Sequence, residues 1–243
     1  MAAKTIDELS EELYNAVKCC EQKETIYSNL LHLHQPEVVA TAAVLIVLDY
    51  RDNDWHVLLN VRSMNLRRHP GEVCFPGGMR EIADTTCIDT ALREAYEEIG
   101  LPSSSIRIIT ALRPFLGRHL IMLYPVLAIQ TAPFIPFTGD EVDKVFYSPL
   151  KVFLESEKHS SFFYLENFQL HSFELESNTY GLTAFICIII SMCVYNKFPE
   201  FEMTILKDFS KSPRETAAEI AEKVWKIKPA LVPHEQKTAP SRL

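Results

Sequence analysis

Phe75-Pro76-Gly77-Gly78, then Asp84, then Arg93-Glu94-Ala95-Tyr96-Glu97-Glu98-Ile99-Gly100-Leu101 are the residues that decide how this chain is read. At about 100° per residue, Ile88, Ala91, Leu92, Ala95 and Ile99 share one face of a helix expected over 88–99. Glu94, Glu97 and Glu98 share another face, and Gly100 stands where a left-handed residue ends a helix. Like charges at these spacings cost a few tenths of a kcal/mol per pair, and a helix C-terminus is the unfavourable end of the dipole for anions. Alone, such a triplet reads as a solvated acidic face. Beside a glycine loop it reads as a hard-oxygen donor set for Mg²⁺ or Mn²⁺, ions that keep waters and bridge to substrate phosphates. Arg93 can hold one of the carboxylates in a bidentate fork and fix the geometry, or make an ordinary surface ion pair.

Working outward, residues 37–50 are rich in Val, Ile, Ala and Leu, Arg51-Asp52-Asn53-Asp54 supplies a turn, and Trp55 to Val61 is apolar again, which predicts a hairpin. Ile106 to Ala111, Ile121 to Gln130 and Lys144 to Tyr147 are strand-like. Thr5 with Glu8 forms a capping box ahead of Ile6, Leu9, Leu13 and Val17 at helical spacing. Ser212-Pro213-Arg214-Glu215 opens a last helix carrying Ala217, Ile220, Ala221 and Val224 on one face. Helix, strands, helix, strands, helices: the order predicts an α/β (α+β) layered fold. The simplest division is an N-terminal helical extension over 1–36, one domain over 37–227 and a flexible tail over 228–243 containing Pro229, Pro233 and Pro240.

The helix and the glycines together resemble the signature of the Nudix hydrolases: Gly, five residues, Glu, seven residues, then Arg-Glu, aliphatic, any, Glu-Glu, any, Gly, aliphatic. Asp84 stands here for the usual Glu, and one extra residue separates it from Arg93. The stretch from Leu58 to Gly78, which includes Asn60-Val61-Arg62-Ser63 and Leu66-Arg67-Arg68-His69-Pro70-Gly71-Glu72, resembles the additional motif of the coenzyme A diphosphatases within that superfamily, with Asn60 where Thr is usual. The departures around Asp84 are similar to that subfamily too. The resemblance implies a Nudix fold, a mixed β-sheet sandwiched between α-helices. It also implies hydrolysis of coenzyme A, and of its acyl esters, to 4′-phosphopantetheine or its acyl form and adenosine 3′,5′-bisphosphate. Glu94, Glu98 and Glu97 would hold Mg²⁺ or Mn²⁺, and the loop at Gly77 and Gly78 would let backbone approach the metal closely. The proton acceptor stays open between Glu97 and Glu141.

The upstream stretch suits a polyanion on charge alone. Arg62, Arg67, Arg68 and Arg80 face one acid, Glu72, between positions 62 and 80, and Arg62, Arg67 and Arg68 are the candidates for positioning phosphates. Arg80 reads equally as a solvated surface arginine, and His69 as a phosphate donor or a structural imidazole. Cys74, between Val73 and Phe75, reads as a structural thiol. The whole 243-residue chain is acidic, with a net charge of −8, which excludes a nucleic-acid or membrane-surface binder relying on bulk positive charge. Of only seven glycines, Gly71, Gly77 and Gly78 crowd into one loop region.

Six cysteines without a CxxC pair, and no apolar signal core near Met1, predict reduced thiols in a non-secretory compartment. The longest uncharged apolar run, Gly181 to Tyr195, has 15 residues, short of the roughly 20 of a membrane span, so it reads as a buried helix. The chain ends in Ser241-Arg242-Leu243, similar to the Ser-Lys-Leu address read by the peroxisomal import receptor; the matching expectation is the peroxisome matrix. Two other functions compete: a Nudix hydrolase of ADP-ribose, NADH or another nucleoside diphosphate derivative, and an inert coenzyme A-binding protein. All three carboxylates of the helix weigh against the second.

Overall fold

The computed structural model describes residues 4–30, 38, 40–116, 120–164, 168–206 and 209–225. The tail and Ser241-Arg242-Leu243 lie outside them. Its centre is β1 (Ala40–Arg51), an almost wholly buried strand. Val44, Ile46 and Leu48 join one core, while Ala43, Leu45 and Val47 join a second on the opposite face. A period of two therefore anchors the strand from both sides, with each full burial of Val, Leu or Ile contributing about 1.5–3 kcal/mol.

Asp52 and Asn53, with φ of 54° and 60°, turn β1 into β2 (Asp54–Arg62), the pair of left-handed residues that a two-residue hairpin requires. β7 (Ile121–Gln130) lies parallel to β1 along its length, which obliges a long crossover between them. That crossover contains β3 (Val73–Cys74), β4 (Gly77–Met79), α3 (Cys87–Ile99), β5 (Ile106–Ala111) and β6 (Phe115–Leu116). β4 pairs antiparallel with the first half of β1, and β8 (Val142–Pro149) pairs with β2. The result is a mixed eight-stranded sheet.

On one face lie α1 (Ile6–Val17), α4 (Gly181–Tyr195) and α5 (Pro213–Trp225), sharing Leu13, Val17, Ile186, Cys193, Ile220 and Ala221 with the sheet. On the other lie α3 and the short α2 (Tyr27–Leu30). The mixed sheet between helices is the expected α/β architecture. Among the described residues no helix is long and apolar enough to cross a membrane. The apolar run 181–195 is α4, and its bounds coincide with the run. A second antiparallel sheet, β9 (His159–Tyr164), β10 (Phe168–Phe173) and β11 (Thr179–Tyr180), leads into α4; these strands are not among the elements expected from the sequence.

Candidate active site

α3 begins at a capping box in which Asp89 N–H donates to Thr86 Oγ1 at 3.1 Å and Thr86 N–H donates to Asp89 Oδ2 at 2.8 Å. It ends at Gly100, φ 69°. Ala91, Ala95 and Ile99 are fully buried beneath the sheet, which fixes the rotation of the helix and turns Glu94 and Glu98 towards β4.

There the two glycines do different things. Gly77 N–H donates to Glu98 Oε2 at 3.0 Å. A Cβ on Gly77 would strike Ala43 O at 2.4 Å, and one on Gly78 would fall 2.6 Å from the Glu94 carboxyl group. β4 therefore lies as close as backbone can to β1 at Gly77 and to the Glu94 carboxylate at Gly78. Glu98 is buried, at 7% exposure. Burial pushes its carboxyl up to about 7, Glu94 and Glu141 push the same way, and the Gly77 N–H and Arg62 oppose them. Arg62 Nη1 stands 3.8 Å from Glu98 Oε1, and Arg62 Nε is buried with no hydrogen-bond partner among the described residues. Burial also raises the carboxyl of Glu94. The pair is thus an acidic centre with more negative charge than its neighbours offset. Paired carboxylate oxygens of this kind fit a hard divalent cation.

Arg93 holds the centre in place. Its Nε and Nη2 meet Asp84 Oδ1 and Oδ2 at 3.2 and 3.0 Å, a bidentate fork, while Nη1 reaches Glu94 Oε1 at 3.0 Å and Glu97 Oε2 at 2.9 Å. Nη2 also donates to the Met79 carbonyl at 2.9 Å. Asp84 accepts further bonds from Thr90 Oγ1 and Glu81 N–H, each at 2.9 Å. Burial would raise the Asp84 carboxyl, but Arg93 and these donors outweigh it and hold it low. Asp84 is therefore the seat of Arg93. The sequence marks Asp84 by its place between the glycines and the helix but not as the partner of Arg93, and it does not single out Thr90; the signal for the pairing is an acid ahead of the helix with one arginine to satisfy it.

The structure separates the remaining candidates. Glu97 sits on the rim with its side chain 55% exposed and held by Arg93. Glu141 is exposed at the start of β8, near enough for its charge to act on both Glu94 and Glu98. Its carbonyl accepts Ser63 N–H at 2.9 Å, and Asp143 Oδ2 accepts Met64 N–H at 3.1 Å, so the loop after β2 is tied to β8. Arg67 and Arg68 project from that loop, exposed, and make no hydrogen bond or ion pair among the described residues. His69 has φ 54° and pairs through Nδ1 with Glu72 Oε2 at 2.9 Å, which favours its structural reading. Arg80 lies over the Tyr27 ring at 4.4 Å and serves packing. Cys74 Sγ donates to Asn60 Oδ1 at 3.5 Å, and burial pushes its thiol up to about 12, as befits an unreactive thiol.

The NUDIX domain family model matches residues 39–165. Peroxisomal coenzyme A diphosphatase ndx-8 of Caenorhabditis elegans is 40% identical over 169 residues, covering 67% of this chain and 72% of that one. Peroxisomal coenzyme A diphosphatase NUDT7 of Mus musculus is 31% identical over 180 residues, 66% of this chain and 73% of that one. Nudix hydrolase 15, mitochondrial, of Arabidopsis thaliana is 39% identical over 172 residues, 66% and 60% of the two chains. The matched segment contains β1, both glycines, the seat of Arg93 and all of α3, so the chain belongs to the Nudix hydrolase family.

Proposed function

We propose that this Nudix hydrolase cleaves the diphosphate bond of coenzyme A, and of acyl-CoA esters, to give 4′-phosphopantetheine or its acyl form and adenosine 3′,5′-bisphosphate. The observation that carries the reading is the pairing of two opposite charge fields: Glu94 and Glu98 under the glycine strand, and Arg62, Arg67 and Arg68 along the adjoining loop. Coenzyme A presents three phosphates, two in the diphosphate and one at the ribose 3′ position. A carboxylate centre alone would suit any Nudix substrate; arginines beside it, of which Arg67 and Arg68 have no ion pair among the described residues, suit one with an additional phosphate. Relatives named coenzyme A diphosphatase support the same reading.

Nudix hydrolases generally use divalent metal ions, and Glu94, Glu98 and, from the rim, Glu97 are the residues that would hold Mg²⁺ or Mn²⁺. When bound, the ion supplies charge neutralisation at the diphosphate and a lowered pKa for the attacking water. The rest is done by the chain. Gly78 leaves room for the Glu94 carboxylate, Gly77 lets β4 lie against β1, and the Gly77 N–H aims Glu98. Arg93, seated on Asp84, restrains Glu94 and Glu97, so it acts as a positioning residue. Arg62 faces the diphosphate, and Arg67 with Arg68 reaches the 3′-phosphate. Glu141 accepts the water proton as the water oxygen bonds to one phosphorus and the bridging oxygen leaves with the other. Glu97 is the second candidate, disfavoured because its carboxylate is already bound to Arg93.

The deciding experiment gives purified protein coenzyme A, ADP-ribose and NADH in parallel, with Mg²⁺ or Mn²⁺, and identifies products by mass spectrometry. Adenosine 3′,5′-bisphosphate from coenzyme A, formed fastest of the three reactions, is the expected result. Faster cleavage of ADP-ribose or NADH would refute the substrate, and tight binding of coenzyme A without turnover would make the protein a binder. We further propose a peroxisomal matrix location through Ser241-Arg242-Leu243, with the tail 228–243 outside the catalytic domain 37–227 and the segment 1–36 as a helical extension. Deleting the tripeptide should leave a tagged protein in the cytosol; unchanged import would refute it.

A further inference from the structure

Three of the six cysteines converge on the face of the sheet opposite α3. Cys19 and Cys20 lie in the single helical turn that follows α1, and Cys193 lies near the end of α4. Cys19 Sγ is 3.9 Å from Cys20 Sγ, Cys20 Sγ is 3.8 Å from Cys193 Sγ, and the three sulfurs all lie within 4.8 Å of one another. Tetrahedral zinc–thiolate bonds of ~2.3 Å place sulfurs ~3.8 Å apart, so two sides of the triangle already have the length of a zinc–thiolate edge.

We propose that Cys19, Cys20 and Cys193 form a binding site for a thiophilic closed-shell cation, Zn²⁺ or Cu⁺. Thiolates select such ions over Mg²⁺ and Mn²⁺, so this site and the carboxylate centre would not compete for one metal. The surroundings offset the charge that three thiolates bring. Arg214 Nε donates to the Cys193 carbonyl at 2.7 Å and its charge acts on Cys19; Arg113 N–H donates to the Cys20 carbonyl at 2.9 Å and its charge acts on Cys20. Cys20 and Cys193 are buried while Cys19 is half-exposed, which leaves one side open for an ion to enter. Positions 20 and 193 are far apart in sequence, and an ion held by both ties the N-terminal segment to α4. Its role is structural, because the site lies across the sheet from Glu94 and Glu98.

The test uses full-length protein, reduced and stripped with chelator, in excess Mg²⁺. Co²⁺ is the probe, because thiolate ligands give a near-ultraviolet charge-transfer band that carboxylates do not. The expected result is one Co²⁺ per chain with that band, displaced by Zn²⁺ in one arm and by Cu⁺ under anaerobic conditions in the other, the tighter ion being the preferred occupant. Cys19→Ser, at the half-exposed position, should weaken binding at least about ten-fold and abolish the rise in Tm that Zn²⁺ gives the parent. Cys193→Ala should abolish the band, and if that variant fails to fold the Cys19→Ser result decides. Glu98→Gln should leave the band unchanged. A folded parent without the band, a band that survives Cys19→Ser at full affinity, or a Cys20–Cys193 disulfide that persists in reductant would overturn the proposal.

Discussion

Gly77 and Gly78 are neighbours, yet alanine at each should fail differently. At Gly78 a Cβ would sit 2.6 Å from the Glu94 carboxyl carbon and 2.6 Å from Oε1, where ordinary contact begins near 3.4 Å. The obstructing atoms are the end of a flexible side chain, so the fold can yield by moving the carboxylate roughly 0.8 Å. A displacement approaching 1 Å at a reacting centre costs on the order of 10²-fold in rate. At Gly77 the new Cβ meets strand backbone instead, Ala43 O at 2.4 Å and Val44 Cα at 2.6 Å. Backbone within a paired strand cannot step aside cheaply, and overpacking of this kind costs about 1–3 kcal/mol. For a chain of this length each kcal/mol moves Tm by about 2–4 °C. Gly78→Ala should therefore keep the parent melting temperature and lose on the order of 10²-fold in metal-dependent turnover of coenzyme A, whereas Gly77→Ala should melt several degrees lower. Thermal melts and initial rates on the two variants decide the matter. Full turnover by Gly78→Ala would mean that Glu94 is not needed where the structure puts it, and an equal Tm loss in both variants would mean that the loop serves only the fold.

Glu98→Gln keeps the shape and an acceptor for the Gly77 N–H while removing a buried charge. Turnover should fall at least about 10²-fold with Tm unchanged or higher, and retained turnover would remove α3 from the chemistry. Arg67→Ala should lower kcat/KM on coenzyme A more than on the analogue lacking the 3′-phosphate; equal losses would show that Arg67 does not read that group. His171 is nearly inaccessible, with Nδ1 2.9 Å from His159 Nε2. Burial first, then the His159 charge, lowers it to about 4. Unfolding releases it to the ordinary value of about 6.5, so the unfolded chain binds the extra proton. Stability is then whole above about pH 6.5 and is lost as pH falls towards 4, by up to about 1.4 kcal/mol per unit. Between pH 7 and 5, urea unfolding of the parent should lose on the order of 2 kcal/mol more than that of His171→Asn, and parallel losses would count against the assignment.

What the sequence made legible was local. The two capping boxes at Thr5 and Ser212 and the stop at Gly100 depend on residues within one turn of each other, and all three form as their spacing implies. The hairpin at Asp52-Asn53 likewise needs only its own two residues. What stayed hidden depends on partners far along the chain. No local pattern tells that β4 will pair with Ala43 and Val44, so the reason for two successive glycines became visible only against the strand and against Glu94. The His159–Tyr164 and Phe168–Phe173 strands mix apolar and polar residues without clean alternation, and their sheet is stabilised partly by the stack of His159 on Phe201, centroids 3.6 Å apart. The convergence of Cys193 on Cys19 and Cys20 is of the same non-local kind.

Helical periodicity also gives direction without depth, and this is what the acidic helix turned on. On a wheel Glu94, Glu97 and Glu98 are equivalent, yet their side chains are 16%, 55% and 5% exposed. The acids around α3 divide accordingly. Asp89 is consumed by the N-cap, Asp84 by Arg93 and Thr90, and Glu97 by Arg93 at the solvent edge. Glu94 shares Arg93 with those neighbours, and among the described residues Glu98 has only a guanidinium 3.8 Å away and one backbone N–H. Two carboxyls thus carry the uncompensated charge, both pushed upward by burial. A site kept in that state is under-neutralised by its own protein, and the divalent cation proposed above would relieve it. The proposed substrate bears on Arg62 in the same way: its buried Nε has no partner among the described residues, and a diphosphate held by that cation would offer it an acceptor.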